Sequence, residues 1–219
     1  MFLIGRRLPA AVIGLGLVIA SAGAASGATV TFNSRAAFDA AFPGATLENW
    51  DAYADGLIIP DGSTLNGITY NASGPGEAVV TNAFLPSTLP NGLGSTPGEF
   101  FDGPQTMTFT FGVPVFAFGI DINTFATANG AYLAVTNLGE IVASVFDPFP
   151  GSNTGQFIGF STNLAFTSIT ISSPANNTYT LDTLRYAVQG NVVPEPASLL
   201  LLGLGVAAFS RTRGKRASS

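Results

Sequence analysis

The chain of 219 residues contains no cysteine and no histidine, and only 10% of its residues are charged. Without these two side chains the protein has no cysteine nucleophile, no histidine general base and none of the usual nitrogen and sulfur ligands of zinc. The only lysine is Lys215, close to the C-terminus. Acid–base catalysis or ion binding by the body of the chain must therefore rest on oxygen atoms.

Basic residues are scarce between the two ends of the chain. Residues 29–190 contain only Arg35 and Arg185 against twelve carboxylates, which gives this part a net charge of −10. Such a surface repels the phosphates of nucleic acid, so we exclude a nucleic-acid partner. Cations, neutral sugars or a basic protein are the partners that suit this charge.

The N-terminus has the three-part pattern of a secretory signal peptide. Two arginines precede a 13-residue apolar stretch at residues 8–20, and a run of small residues follows. We predict a signal helix within residues 1–28 and cleavage by signal peptidase near Ala28, with Ala24 as the alternative. An uncleaved anchor is the competing interpretation, although the apolar stretch is short for a helix that spans a bilayer.

The C-terminus carries a second pattern of this kind. Pro194, Glu195 and Pro196 precede an apolar run at residues 197–209. As a helix this run is about 20 Å long, against roughly 30 Å for the hydrocarbon core, so it spans a bilayer only marginally. Under the positive-inside rule the basic residues that follow stay in the cytoplasm: Arg211, Arg213, Lys215 and Arg216. We predict a transient inner-membrane anchor, with an ordinary tail anchor as the alternative.

This tail resembles the PEP-CTERM sorting signal of Gram-negative bacteria that produce exopolysaccharide. The Pro-Glu-Pro motif, the hydrophobic helix and the basic end carry the resemblance. It implies that exosortase, a membrane transpeptidase-like enzyme, cleaves near the motif and sends the body to the cell surface or extracellular matrix. We accordingly divide the chain into a signal peptide at 1–28, a β domain at 29–190, a linker at 191–193 and a sorting signal at 194–219.

Short runs with period-two alternation dominate residues 29–190 and predict an all-β fold. We expect an antiparallel β-sandwich and favour a jelly roll. In the runs QTMTFTF (105–111) and VFAFGIDI (115–122), the intervening FGVP predicts a hairpin turn, and Asp121 is expected to face solvent.

Two local signals modify this pattern. Ser34, as an N-cap, and the apolar face of residues 35–42 predict one short N-terminal helix. In the last predicted strand the hydrophobic phase slips at Asp182 and Thr183. The slip predicts a β-bulge there, with simple coiling of the strand as the alternative.

The body also resembles the sandwich domains that often accompany this sorting signal and look like carbohydrate-binding modules. The matching segments are TVTFNSRAAFDAAF (29–42), TLENWD (46–51), GITY (67–70), TFTFGVPVFAFGIDI (108–122) and TLDTLRYA (180–187). Sugar binding uses exposed aromatic side chains with a few polar groups. The candidates are Trp50, Tyr53, Tyr70, Phe100 and Phe101. Burial in the core is the alternative for Trp50, and we expect the loop at 86–104 to be irregular and functional.

The same resemblance implies a structural Ca²⁺ that ties the first acidic strand to the last strand. Glu48 and Asp182 occupy the matching places, and Asp51 lies near enough in sequence to help. The closing motif of these domains often has two adjacent acids, whereas here Thr183 follows Asp182. Solvent exposure, or ion pairs with the two arginines, is the alternative for these carboxylates. We expect no other cofactor.

Together these features predict an exported, exosortase-sorted, non-enzymatic surface or matrix protein, associated with exopolysaccharide in a biofilm and binding carbohydrate through its body. One alternative is a glycan-cleaving enzyme that uses two carboxylates. Spacing selects no pair among the candidates, which are Glu48, Asp51, Glu99, Asp102 and Asp121. The other alternative is a protein–protein adhesion module whose acidic body meets a basic partner, an attraction that salt weakens.

Overall fold

The structure, a computed structural model, describes residues 28–188. Within that range the chain forms one α-helix and thirteen β-strands, and every strand pair is antiparallel. The elements in chain order are β1 (Thr29–Thr31), α1 (Arg35–Ala41), β2 (Thr46–Glu48), β3 (Ile58–Ile59), β4 (Thr64–Leu65), β5 (Ile68–Ala72), β6 (Ala78–Thr81), β7 (Gly92–Ser95), β8 (Met107–Thr124), β9 (Leu133–Thr136), β10 (Ile141–Ala143), β11 (Val145–Phe146), β12 (Gln156–Ser172) and β13 (Tyr179–Val188).

Two long strands, β8 and β12, run through the whole fold. They pair from Met107 opposite Ile171 to Ile122 opposite Gln156. The first half of β8 also pairs with β5, and its second half pairs with β13. The strands thus continue from one layer into the other, and the apolar faces of both layers meet in one core. The predicted antiparallel β-sandwich with one helix is confirmed.

The predicted hairpin at FGVP is wrong, because β8 continues through this segment. Gly112, Val113 and Pro114 are exposed and lie where the ladder with β12 is irregular, between Thr110 and Val115. Proline has no N–H to donate to a ladder and is tolerated at such an irregularity. The Gly-Pro signal therefore marks a bend within one strand.

The main core lies between the two layers and is rich in aromatic residues. Phe109, Phe118, Ile158 and Ile169 are representative, with exposed fractions of 0–1%. Each such side chain contributes about 1.5–3 kcal/mol when it is removed from water. The apolar residues of the alternating sequence pattern are those that point into this core.

The predicted helix is confirmed, and it covers the outer face of one layer. The Ser34 Oγ accepts a hydrogen bond from the Ala37 N–H at 3.2 Å and so caps the helix. Phe38 packs against Ala117 and Phe157 in a second, smaller core. At Gly119 a Cβ would lie 3.1 Å from the Phe157 ring and 3.2 Å from the Phe38 ring, so a larger residue at this helix-facing position would have to displace these rings by a few tenths of an ångström.

The predicted bulge in β13 is confirmed, whereas the predicted exposure of Asp121 is wrong. The register of β13 against β8 shifts between Asp182 and Arg185, and Thr183 has a φ of 48°. Asp121 does point away from the main core, but helix α1 covers that face, and its exposed fraction is 0%. Its carboxylate pairs with Arg35, which stands at the first turn of the helix.

The segment at 86–104, predicted to be an irregular loop, contains strand β7, and Leu93 and Phe101 within it are fully buried. Predictions for the signal peptide at 1–28, the linker at 191–193, and the sorting signal with its hydrophobic helix at 197–209 fall outside the described residues, apart from residue 28. Among the residues that are described, no helix has the length and hydrophobicity needed to cross a membrane.

Candidate functional site

An open cleft with aromatic walls lies where β8 ends and β13 begins. Its volume is about 200 Å³. We refer to it as the aromatic cleft, and its lining residues are Phe84, Phe100, Asn123, Thr124, Phe125, Thr178, Tyr179 and Thr180. Concave sites with aromatic walls and a few polar groups are typical of small-ligand binding.

Two paired strands form the floor of the aromatic cleft. Tyr179 lies opposite Thr124 in the ladder of β13 and β8, and Thr180 lies opposite Asn123. Tyr179 is held beneath the cleft by a stacked contact with Phe101, whose centroid is 5.1 Å away. The backbones of Phe101 and Tyr179 also exchange hydrogen bonds at 2.8 and 3.1 Å. The floor is therefore rigid, because it belongs to the sheet and the core.

Three phenylalanine rings from three different segments form the walls. Phe84 and Phe100 are partly buried and meet edge to face, with their centroids 5.6 Å apart. Phe125 follows β8 directly and has an exposed fraction of 82%. An exposed ring of this size beside two others offers an apolar surface against which a ligand can stack.

The polar groups of the cleft are uncharged, and several have no partner of their own. The Asn123 Nδ2 donates to the Leu85 carbonyl at 2.7 Å, which leaves its Oδ1 without a partner within residues 28–188. In the same range the hydroxyls of Thr178 and Thr180 make no hydrogen bond. Burial raises the pKa of the Tyr179 phenol, so this side chain is neutral as well. The free oxygen atoms of Asn123, Thr178 and Thr180 suit hydrogen bonds to the hydroxyl groups of a neutral ligand.

A buried carboxylate pair lies under the loop that carries Phe84. This loop, residues 82–91, holds Ser87, whose Oγ is 2.6 Å from the Asp121 Oδ2 and 2.8 Å from the Asp182 Oδ2. Asp121 and Asp182 are 0% and 1% exposed and lie opposite each other in the ladder. A hydroxyl group has one hydrogen and can donate to only one carboxylate. The second carboxyl group therefore satisfies Ser87 best when it carries a proton.

The electrostatics of the pair agree with this geometry. Burial raises the pKa of the Asp182 carboxyl to about 7, although hydrogen bonds from Thr88, Ser87 and Thr183 act in the opposite direction. Burial also raises the pKa of Asp121, against the attraction of Arg185 and Arg35. The Asp182 oxygens accept the N–H groups of Thr88 and Thr183 at 2.7 and 2.6 Å. The pair thus fixes the 82–91 loop to the sheet.

Of the five aromatic candidates from the sequence, only Phe100 lines the aromatic cleft. Trp50 and Tyr70 are fully buried, and the Trp50 Nε1 donates to the Tyr70 Oη at 3.1 Å, so the predicted role as exposed platforms is wrong for both. Phe101 is also fully buried and supports the floor from behind. Tyr53 is partly buried, and its Oη accepts a hydrogen bond from Asn66 at 2.6 Å, outside the cleft.

The three predicted metal ligands are not gathered into one group. Within residues 28–188 no cluster of three or more His, Cys, Asp or Glu side chains could hold an ion. The Glu48 oxygens accept from the Trp50 N–H at 3.0 Å and from the Asn66 Nδ2 at 2.6 Å. Asp51 accepts from the Asn91 N–H at 3.0 Å, and Asp182 belongs to the carboxylate pair. Asp51 and Asp182 thus both hold the 82–91 loop, whereas Glu48 accepts from Trp50 and Asn66.

Most of the cleft was not predicted from the sequence. Phe125 carried a usable signal: it stands on the outward phase of β8, where Ile120 and Ile122 point inward, and an outward aromatic at a strand end suggests a surface. Phe84, Thr178 and the other lining residues come from segments far apart in the chain. Their proximity depends on how the loops fold, and hydrophobic periodicity in the sequence carries no information about loop conformation.

Comparison with known proteins decides the nature of the C-terminal tail. The family model of the PEP-CTERM protein-sorting motif matches residues 192–216. The chain carries this sorting motif. The motif indicates export and sorting toward the cell surface or extracellular space and implies processing by exosortase. This match confirms the prediction made from Pro194, Glu195, Pro196 and the residues that follow them.

The body is similar to solved structures of family 11 carbohydrate-binding modules. One comes from Clostridium thermocellum and is in complex with a β-1,3-1,4-mixed-linked tetrasaccharide; the identity is 12%, the match covers 61% of this chain and 96% of that one, and the TM-score is 0.30. Another belongs to a cellulosomal cellulase of the same organism, with 12% identity, 62% and 95% coverage, and a TM-score of 0.28. No curated protein matches the chain.

Proposed function

We propose that the exported body is a non-enzymatic surface or matrix protein that binds exopolysaccharide through the aromatic cleft. The observation that carries this proposal is the combination of three phenylalanine rings with unpaired, uncharged oxygen atoms in one open cleft. A pyranose ring has the matching surface, since its C–H groups form an apolar face and its hydroxyl groups lie around the edge. Aromatic stacking then supplies affinity, while Asn123, Thr178 and Thr180 supply orientation.

The distribution of carboxylates supports a binding role over glycan cleavage. A glycosidase needs two carboxyl groups that flank the bond to be cleaved, about 5–9.5 Å apart. No carboxylate lines the aromatic cleft. Asp121 and Asp182, which share Ser87, are buried beneath the 82–91 loop, out of reach of a polysaccharide. Asp121 is also held by Arg35, at 2.6 Å.

The routing of the protein belongs to the same proposal. The signal peptide at 1–28 directs export, and the hydrophobic helix at 197–209 holds the body at the inner membrane until exosortase cuts near Pro194. The body, residues 29–190, then reaches the outer surface or the matrix, where exopolysaccharide is the abundant ligand. The sorting motif supports the second half of this route.

The test is to mix the exported protein with exopolysaccharide from the producing cells and to measure both the bound fraction and any released oligosaccharide. We expect retention without release. Released oligosaccharide would replace the binding role with a carboxylate-dependent hydrolase. Failure to bind any glycan, together with salt-sensitive capture of a basic protein, would replace it with a protein adhesion module.

A further inference from the structure

We infer that the aromatic cleft is selective for neutral glycan segments and rejects glycans that carry carboxylate or sulfate groups. This inference rests on the proposed function and narrows its ligand class. It comes from where the charges of the body lie, from the pairing of its two cations and from the chemistry of the cleft walls.

Both arginines within residues 28–188 are paired, so neither is free to receive an anionic sugar. Within residues 28–188 the cations of side chains are those of Arg35 and Arg185. The Arg35 Nε lies 2.6 Å from Asp121, and the Arg185 Nε lies 2.9 Å from Asp39. The two arginine side chains are only 19% and 12% exposed. Recognition of a carboxylate or sulfate normally uses a charge-assisted hydrogen bond from such a group, and none is available here.

The remaining charges of the body repel an anionic ligand. Twelve carboxylates against two arginines give residues 28–188 a net charge of −10. The field of a surface carboxylate reaches about 10 Å at 0.1 M salt, so these charges repel an anionic polymer that approaches the domain even though the cleft lining is uncharged. Repulsion of the wrong ligand is a recognised source of specificity.

The walls of the cleft add a second reason. Phe84, Phe100 and Phe125 present rings without a polar atom, and the face of an aromatic ring carries partial negative charge. Such faces attract the weakly positive C–H groups of a pyranose and disfavour an anion. A hydroxymethyl group at C6 is therefore acceptable beside these rings, whereas a carboxylate at C6 is not.

The experiment uses matched ligands that differ only at C6. A soluble neutral glucan, a galactan and a mannan are each compared with the product of C6 oxidation, which turns hydroxymethyl groups into carboxylates. Binding of the exported protein is measured at low and at high salt, with a chelator present so that no cation bridges the two partners. The exopolysaccharide of the producing cells is included as a further probe, with a polymer that is not a glycan as the negative control.

The expected result is that at least one neutral glycan binds and that its oxidised product binds about tenfold more weakly at low salt, with a smaller difference at high salt. Equal or tighter binding of the oxidised product, or binding of acidic exopolysaccharide alone, would overturn the selectivity and leave the proposed function standing. Failure of every glycan to bind would instead overturn the proposed function.

A charge introduced at the cleft provides the complementary test. Thr178 is partly buried at the cleft wall, so Thr178→Lys brings a cation to the ligand, and Thr178→Gln serves as the uncharged control of similar length. We expect the lysine variant to gain affinity for the oxidised glycan while the glutamine variant does not. A gain in both variants, or in neither, would contradict the electrostatic explanation.

Discussion

The stability of the body should fall as the pH rises from 5 to 8, because of the buried Asp182. Burial raises the pKa of this carboxyl group to about 7 in the folded protein, whereas an aspartate in an unfolded chain titrates near 3.9. Between about pH 3.9 and pH 7 the folded state therefore still holds a proton that the unfolded state has lost. The resulting stabilisation is complete below about pH 3.9 and is lost as the pH rises through 7.

The size of the effect follows from the pKa difference. Each unit of pH between the two pKa values changes the free energy of unfolding by about 1.4 kcal/mol. Between pH 5 and pH 8 the loss is roughly 2–3 kcal/mol, a large share of the stability of a domain. Burial raises the pKa of Asp121 too, which acts in the same direction.

The assay is urea unfolding of the exported protein at pH 5, 6, 7 and 8 with a chelator present. In Asp182→Asn the side chain cannot titrate, so the free energy of unfolding should depend less steeply on pH. The amide also meets the N–H donors of Thr88 and Thr183 less well, but that loss of stability is the same at every pH. Asp102→Asn, at an exposed carboxyl, is the matched control and should keep the slope. A wild-type stability that is flat or rises with pH, or an unchanged slope in Asp182→Asn, would refute the raised pKa of Asp182.

Three further changes test other parts of the account. Phe38→Ala leaves a cavity in the small core under helix α1 and should lower the free energy of unfolding in urea by about 3–5 kcal/mol. Phe125→Ala, at an exposed ring, should change it by no more than about 0.5 kcal/mol. Equal losses of stability in the two variants would contradict the packing described. Gly94→Ala places a Cβ 2.0 Å from the Glu99 carbonyl and should displace the segment before Phe100, so glycan affinity should fall together with the melting temperature. The structural Ca²⁺ stays a prediction: a melting temperature that is higher in Ca²⁺ than in chelator would support it, and identical values would reject it.

Periodicity located the strands well, because inward and outward residues alternate along them. It could not state what lies on the outward side. Asp121 has the outward phase of a solvent-facing residue, yet helix α1 packs on that face and buries it. Gly112 and Pro114 together are typical of a turn. The strand β8 nevertheless bends there and continues, because β12 pairs with both of its halves. The bulge at Asp182 was readable, since a phase slip is itself a sequence property.

The candidate site was less predictable than the fold. Trp50 has polar neighbours in the sequence, which suggested exposure. Glu48 is itself buried, however, and accepts a hydrogen bond from the Trp50 backbone N–H, so the polar neighbours do not indicate an exposed segment. The aromatic cleft joins Phe84, Phe100 and Phe125 from three loops that meet only after the sheet has formed. The tail motif is different, because its recognition depends on linear order alone and needs no folded neighbour.

Glycan binding in the aromatic cleft is tested by the affinity of the exported protein for the neutral glycan that it retains, compared between the wild type, Phe125→Ala and Leu138→Ala. Both side chains are exposed, at 82% and 53%, but only Phe125 lines the aromatic cleft. We predict that Phe125→Ala weakens binding about tenfold, as loss of a stacking contact of roughly 1.4 kcal/mol requires, while Leu138→Ala binds like the wild type. Unchanged affinity in Phe125→Ala, with both variants folded, would show that the glycan binds elsewhere.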